Sequence, residues 1–108
     1  MARLIWTQES RRWLRDIYEY IARDSQPAAR KVVHGIFDRT HLLLEFPEMG
    51  HLYQPRKFPN VRILLYGHYR VLYLPEAGGN IYILGVFHGA LELKRHFKSQ
   101  RERSRTDP

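Results

Sequence analysis

The sequence predicts an α+β domain in which an antiparallel sheet is covered on one face by a helical hairpin. Three observations predict it: two stretches with apolar residues at helical spacing, three later β-rich runs joined by glycine-containing links, and a strongly basic end. The predicted element order is β-α-α-β-β-β followed by a basic C-terminal segment, which is helical from Ala90 to about Gln100 in one interpretation. Each helix carries one apolar stripe, and packing both stripes on the sheet buries them.

Each predicted helix begins at a start signal. Residues 3–6 are β-prone and stop at Thr7, a good N-cap for an amphipathic helix over residues 8–23. The second helix is expected to begin near Pro27, because the N–H that proline lacks has no partner in a first helical turn. Its helical spacing continues to Phe46-Pro47. Only residues 24–26 separate the two predicted helices, and so short a connection predicts an antiparallel helical hairpin.

The second half of the sequence is typical of a sheet. Residues 50–60 contain Pro55 and Pro59 and are expected to form an irregular connection. The β-rich runs cover residues 61–66, 69–74 and 81–87. They are joined by Gly67-His68 and by residues 75–80, which predicts two successive antiparallel hairpins.

Composition limits the class of protein. The chain has 108 residues, no cysteine and a formal charge of +7, of which residues 94–108 contribute +4. We therefore expect one domain over residues 1–97 and a basic, flexible tail over residues 98–108, with no disulfide and no thiolate zinc site. Apolar runs are too short to cross a membrane and no signal segment is seen, so a cytoplasmic protein is expected. The charge suits phosphate groups or an acidic protein partner, although a solvated terminus explains the tail equally well.

Several short motifs occur in a fixed order along the chain. They are Trp6-Thr7, Leu14-x-x-Ile17-x-x-Tyr20-Ile21, Leu43-x-x-Phe46-Pro47-x-x-Gly50, Val61-Arg62, Tyr69-Arg70-Val71-Leu72-Tyr73 and Ile83-Leu84-x-Val86-Phe87-His88-Gly89. In this order and at these separations they resemble the ParE/RelE superfamily of type II toxin–antitoxin toxins, over about residues 3–97. The resemblance implies the fold predicted above and the toxin role of such systems, including plasmid stabilization.

The superfamily has two branches, and this sequence is more similar to the ParE-like branch. RelE-like members are ribosome-dependent mRNA endoribonucleases, whereas ParE-like members inhibit DNA gyrase. Arg70 matches a strand arginine of both branches, but Gly89 stands where RelE-like enzymes carry an arginine, and no tyrosine follows Tyr82. The stretch from His88 is similar to a ParE-like ending, with Leu91 in place of its arginine.

The resemblance implies a binding protein that needs no cofactor or metal. We expect a ParE-like toxin that binds and inhibits gyrase and is neutralised by an acidic cognate antitoxin. The residues expected to bind target or partner are Arg62, Arg70, His88, Lys94, Arg95 and Lys98. The alternative is a RelE-like enzyme that acts on mRNA at the ribosome, with His88 as acid or base and Arg62 and Arg70 as phosphate clamps. A toxin-fold protein that acts only as a binding module is a third interpretation.

Each candidate residue also has a structural interpretation. Arg70 could pair with Glu48 or Glu92, Arg62 could be a solvated edge residue, and His88 could be a hydrogen-bonded turn residue. His34, Asp38 and His41 share one helix face at metal-ligand spacing, but that face is expected to be the solvated one. Stacking of nucleic-acid bases on three strand tyrosines is possible, although no RNA-binding motif accompanies Tyr66, Tyr69 and Tyr73.

Removal of residues 99–108 is expected to leave stability almost unchanged, because residues 98–108 lack apolar periodicity. Thermal unfolding of the full and shortened chains measures this. A large fall in melting temperature on truncation would show instead that the tail packs on the core.

Overall fold

Two helices and five strands follow one another in a computed structural model that describes residues 1–53 and 59–89. The basic segment after residue 89 lies outside these ranges. In chain order the elements are β1 (Leu4–Trp6), α1 (Gln8–Ala22), α2 (Gln26–His41), a 3₁₀ turn (Leu42–Leu44), β2 (His51–Leu52), β3 (Arg62–Tyr66), β4 (Tyr69–Pro75) and β5 (Ile81–His88). Within the described residues no helix is long and apolar enough to span a membrane.

The strands form one sheet in the order β1-β5-β4-β3-β2. The predicted hairpins β3–β4 and β4–β5 are confirmed as antiparallel pairs, and β2 is antiparallel to β3. Strand β1 pairs in parallel with β5, with Leu4 opposite Ile81 and Trp6 opposite Ile83. Parallel pairing needs a long connection, and here that connection includes the helical hairpin. The α+β class and the order of elements are therefore confirmed.

Thr7 connects the first strand, the first helix and the sheet. Its N–H and its hydroxyl both donate to Ile83 O, at 3.2 and 2.8 Å. The same hydroxyl oxygen accepts the N–H of Ser10, and the buried Ser10 hydroxyl donates back to Thr7 O at 2.7 Å. These bonds satisfy polar groups that a buried helix start would otherwise leave unpaired, and they fix the start of α1 against β5.

The second helix begins one residue before Pro27 and ends earlier than its sequence pattern indicates. Ser25 caps it by accepting the N–H of Ala28 at 3.2 Å. The α-helix stops at His41, and the apolar spacing continues through the tighter 3₁₀ turn. Such a turn satisfies carbonyls that a helix end leaves free, and a residue before proline, here Phe46, disfavours helical backbone.

The connection between the helices and the sheet contains a short strand that the sequence pattern does not reveal. Its two residues, His51 and Leu52, pair with Ile63 and Arg62, and Tyr53 N donates to Val61 O at 2.8 Å. Both strand residues are exposed, so they show no apolar alternation that could have predicted them.

The core occupies both faces of the sheet. On the helix side, Leu14, Ile36 and Leu43 pack with Leu64, Val71, Tyr73, Ile81, Ile83 and Val86. On the other face, Val61, which precedes β3, and the strand residues Ile63, Leu72 and Phe87 form a second buried cluster. Trp13 contacts both clusters, and its ring lies 4.9 Å from that of Phe87. The first cluster confirms that the hairpin covers one face of the sheet.

The turn over residues 47–50 is held by the side chain of Tyr73. This side chain is fully buried, and its hydroxyl donates to Pro47 O at 2.8 Å while accepting the N–H of Gly50 at 3.0 Å. A Cβ at position 50 would lie 2.6 Å from Ile63 O and 2.7 Å from the Tyr73 ring, so the approach requires glycine. Burial therefore makes Tyr73 a core residue, which excludes it from stacking on nucleic-acid bases.

We expect Tyr73→Phe to lower the free energy of unfolding by about 1–3 kcal/mol, because Pro47 O and the Gly50 N–H lose their partner. Burial raises the pKa of Tyr73, although the hydrogen bond from Gly50 lowers it in part. A tyrosine whose folded-state pKa is raised stabilises the fold below about pH 10 and loses that contribution above it. The stability difference between wild type and Tyr73→Phe should therefore narrow at alkaline pH.

Denaturant unfolding of both proteins from neutral pH to about pH 11 measures this difference, and Tyr20→Phe is the matched control. Tyr20 is 73% exposed, and its replacement should leave stability unchanged. Equal effects of the two substitutions would contradict the role assigned to the Tyr73 hydroxyl.

Candidate partner-binding surface

Arg62 is bound to the backbone of the turn that Tyr73 holds. Its Nη1 donates to Gly50 O at 2.6 Å and to Glu48 O at 3.2 Å. The residue is half-buried and lies opposite Tyr73 on the neighbouring strand. Its guanidinium thus has a structural role that the sequence pattern does not show. Its other two nitrogens still carry N–H groups that can donate to a ligand.

Arg70 differs from Arg62 in having a buried nitrogen that is not paired within the described part of the chain. Among residues 1–53 and 59–89, no group accepts a hydrogen bond from its Nε. No ion pair with Glu48 is seen, and Glu92, the other carboxylate considered, lies outside the described residues. A buried donor that lacks a partner is costly, so a ligand that supplies an acceptor is favoured at this residue.

His88 lies at the end of β5, in contact with two aromatic rings. Its ring centroid is 5.3 Å from that of Tyr69, in an edge-on arrangement, and 6.1 Å from that of His68. The side chain is exposed. Its position is set by the pairing of Tyr69 with His88 across the β4–β5 hairpin.

The strand register separates the three residues considered for RNA cleavage. Arg62 pairs with Tyr73 and His88 pairs with Tyr69, which places them about 13 Å apart along the strand direction. Arg70 pairs with Phe87, whose side chain belongs to the second cluster, so Arg70 lies on the face opposite Arg62 and His88. The geometry does not bring the three side chains to one phosphate.

The remaining candidate residues do not add to the described surface. Lys94, Arg95 and Lys98 lie outside the described residues. No group of three or more metal-ligating side chains occurs among residues 1–53 and 59–89, which include His34, Asp38 and His41. Instead, His41 Nδ1 lies 2.7 Å from Phe37 O within its own helix.

A cleft between the two helices and the end of β1 was not identified from the sequence. It has a volume of about 470 Å³ and is lined by Trp6, Arg11, Leu14, Arg15, Tyr18, Val33 and Phe37. The rings of Trp6 and Phe37 lie 5.0 Å apart at one side. Its position depends on how the hairpin packs on the sheet, which the sequence pattern does not show.

A second, more polar cleft of about 410 Å³ lies near the turn at residues 47–50. It is lined by side chains that include Glu48, Arg62 and Glu76. The Glu76 carboxylate raises the pKa of Tyr82, first through hydrogen bonding and then through its charge. Both signs of charge therefore occur in this cleft.

The fold is that of the small toxins of the ParE/RelE type. Residues 4–93 match the family described as "ParE toxin of type II toxin-antitoxin system, parDE". The match covers most of the chain, which therefore belongs to this family and is a toxin of a type II toxin–antitoxin system.

Solved structures have the same fold. A chain of the chromosomal ParDE toxin–antitoxin system from P. aeruginosa is 23% identical with a TM-score of 0.69, covering 83% of this chain and 98% of that one. A chain of the RelBE2 toxin–antitoxin complex from Mycobacterium tuberculosis is 22% identical with a TM-score of 0.57, covering 81% and 96%. A search of curated proteins gave no match.

The two strand arginines are expected to respond differently to replacement by methionine. Arg62→Met should lower the free energy of unfolding by about 1.5 kcal/mol, because two backbone carbonyls lose a charged donor. Arg70→Met should be neutral or stabilising, since it removes a buried donor for which the described residues supply no acceptor. Denaturant unfolding of both variants measures the contrast, and a larger loss for Arg70→Met would contradict it.

Proposed function

We propose that this toxin acts as ParE-like proteins do, by binding DNA gyrase and inhibiting it, and that an acidic cognate antitoxin neutralises it. The family match over residues 4–93 carries the proposal. The antitoxin is supported by the two similar structures, which come from a ParDE system and a RelBE2 complex. The formal charge of +7 favours an acidic partner.

The separation of Arg62, Arg70 and His88 supports inhibition by binding over RNA cleavage. In-line cleavage needs a base, an acid and charge-stabilising cations around one phosphate. Here one of the three candidates lies on the opposite face of the sheet, and the other two are about 13 Å apart along it. A protein that works by binding has no such requirement.

The proposed target-binding residues come from both faces of the sheet and from the sequence that follows it. Arg70 lies on β4 and His88 on the opposite face at the end of β5, and Lys94, Arg95 and Lys98 follow in the basic part of the sequence. Arg62 contributes through the donors left after its bonds to the turn. Positive charge of this kind speeds encounter with an acidic surface, and it does so less at high salt. Residues 1–97 serve as the folded toxin unit in this proposal, acting in the cytoplasm where gyrase works.

Two assays on the same purified protein test the proposal. With relaxed plasmid and gyrase, it should block supercoiling; with ribosome-bound mRNA, primer extension should show intact message. Replacing Lys94, Arg95 and Lys98 together by alanine should raise the concentration needed for inhibition by about tenfold, since steering charge is lost.

The matched control removes three other exposed charges, at Arg23, Arg30 and Lys31. It should change inhibition by less than about twofold. Codon-specific cuts that vanish in His88→Ala, together with unimpeded supercoiling, would overturn the proposal in favour of the RelE-like enzyme. Inactivity in both assays would favour the binding-module interpretation.

A further inference from the structure

Two histidines lie side by side at one end of the sheet. His68 is the second residue of the turn between β3 and β4, and His88 is the last residue of β5. The register pairs His88 with Tyr69, the residue next to His68, and the ring centroids of the two histidines are 6.1 Å apart. Both side chains are exposed. The turn and the neighbouring strand therefore present two imidazoles to one region of solvent.

The separation of the two rings is close to that of imidazoles that share a metal ion. With metal–nitrogen distances of about 2.0–2.1 Å, two imidazoles on one Zn²⁺ have ring centroids about 5–6 Å apart, depending on the angle at the metal. The observed 6.1 Å lies at the upper end of this range, and the rings are inclined by 49°. Rotation about χ2 of a histidine is soft, so small rotations of two exposed side chains direct one nitrogen of each towards a common ion.

Neighbouring residues hold the two histidines in place and leave the space between them accessible. Tyr69 contacts the His88 ring edge-on, with centroids 5.3 Å apart. His68 lies in a two-residue turn whose ends, Tyr66 and Tyr69, pair with each other. Beside His88, Gly89 has a φ of 82°, and a Cβ there would meet no described atom within 4 Å. An ion bound here therefore has room for water ligands.

The two histidines of α2 are less suited to share an ion. His34 and His41 are seven residues apart, which is about 10 Å along a helix axis. His41 Nδ1 also lies 2.7 Å from Phe37 O, so that nitrogen is already engaged within the helix. The pair at the end of the sheet carries neither of these restrictions in distance, because its rings are in contact.

We infer that His68 and His88 bind a divalent transition-metal ion, with water molecules completing its coordination. Imidazole nitrogen is a good ligand for Zn²⁺, Ni²⁺ and Cu²⁺, whereas Mg²⁺ and Ca²⁺ prefer oxygen. The bound ion links the β3–β4 turn to the end of β5, close to the point where the chain continues into its basic segment. The inference adds a ligand that the resemblance does not imply, and it is independent of gyrase and of the antitoxin.

Calorimetry of the chain without an affinity tag, titrated with ZnCl₂ near neutral pH, tests the site. A single Zn²⁺ should bind, and MgCl₂ should give no binding. His68→Ala and His88→Ala should each weaken Zn²⁺ binding at least about tenfold, because one imidazole then remains. His51→Ala is the matched control: it removes another exposed histidine, on the edge strand β2, and should weaken binding less than about twofold.

NMR of the unaltered chain gives a second readout that needs no substitution. A small amount of Cu²⁺, well below one equivalent, should broaden the ring C–H signals of His68 and His88 together and leave those of His51 sharp. Thermal unfolding in the presence of a chelator establishes that the three variants are folded.

The two measurements have separate supporting and contradicting outcomes. Loss of Zn²⁺ binding at both histidines but not at His51, with joint broadening by Cu²⁺, supports the inference. Binding that depends on only one of the two histidines, that falls equally in the control, or that no substitution weakens overturns it. Absence of binding by the unaltered chain also overturns it, and the proposed function is unaffected by any of these results.

Discussion

The hydroxyl of Tyr73 determines how the helical half of the molecule joins the sheet. From the middle of β4 it bonds both Pro47 O and the Gly50 N–H, at the point where the chain leaves the helices. Arg62 is bound to the same turn through Gly50 O. A buried tyrosine requires such partners, and the turn provides them only if the helices end where they do. This junction at the end of the helices and the bonds of Thr7 at their start together hold the hairpin, and with it the cleft, in place on the sheet.

This junction gives the two strand arginines different roles. Arg62 holds the turn through Nη1, whereas Arg70 lies on the other face, where no group among the described residues accepts a hydrogen bond from its buried Nε. Register is strict in a sheet with buried faces, because a shift by one residue would exchange the two faces. Charge available for partners is therefore distributed over separate surfaces, as suits a protein that binds through an extended contact.

Much of the fold is predictable because its signals are local. Thr7, Ser25 and Pro27 mark helix starts, and the Gly67-His68 link marks a hairpin; Gly67 has the positive φ of 57° that such a turn favours. Strand β2 was missed because its pairing depends on residues distant in sequence. For the same reason the sequence does not predict the bonds of Arg62 or the cleft, whose lining comes from β1, α1 and α2. Residue type suggested the binding groups, but only the register shows which of them lie together.

The role of the Tyr73 hydroxyl is the claim on which the rest of the account depends most. Amide hydrogen exchange tests it directly, because the Gly50 N–H is protected only while the Tyr73 oxygen accepts from it. The account predicts that the Gly50 amide is protected in the wild-type chain and loses that protection in Tyr73→Phe, whereas the Thr7 amide, which donates to Ile83 O, stays protected in both. Equal protection of the Gly50 amide in the two proteins would contradict it.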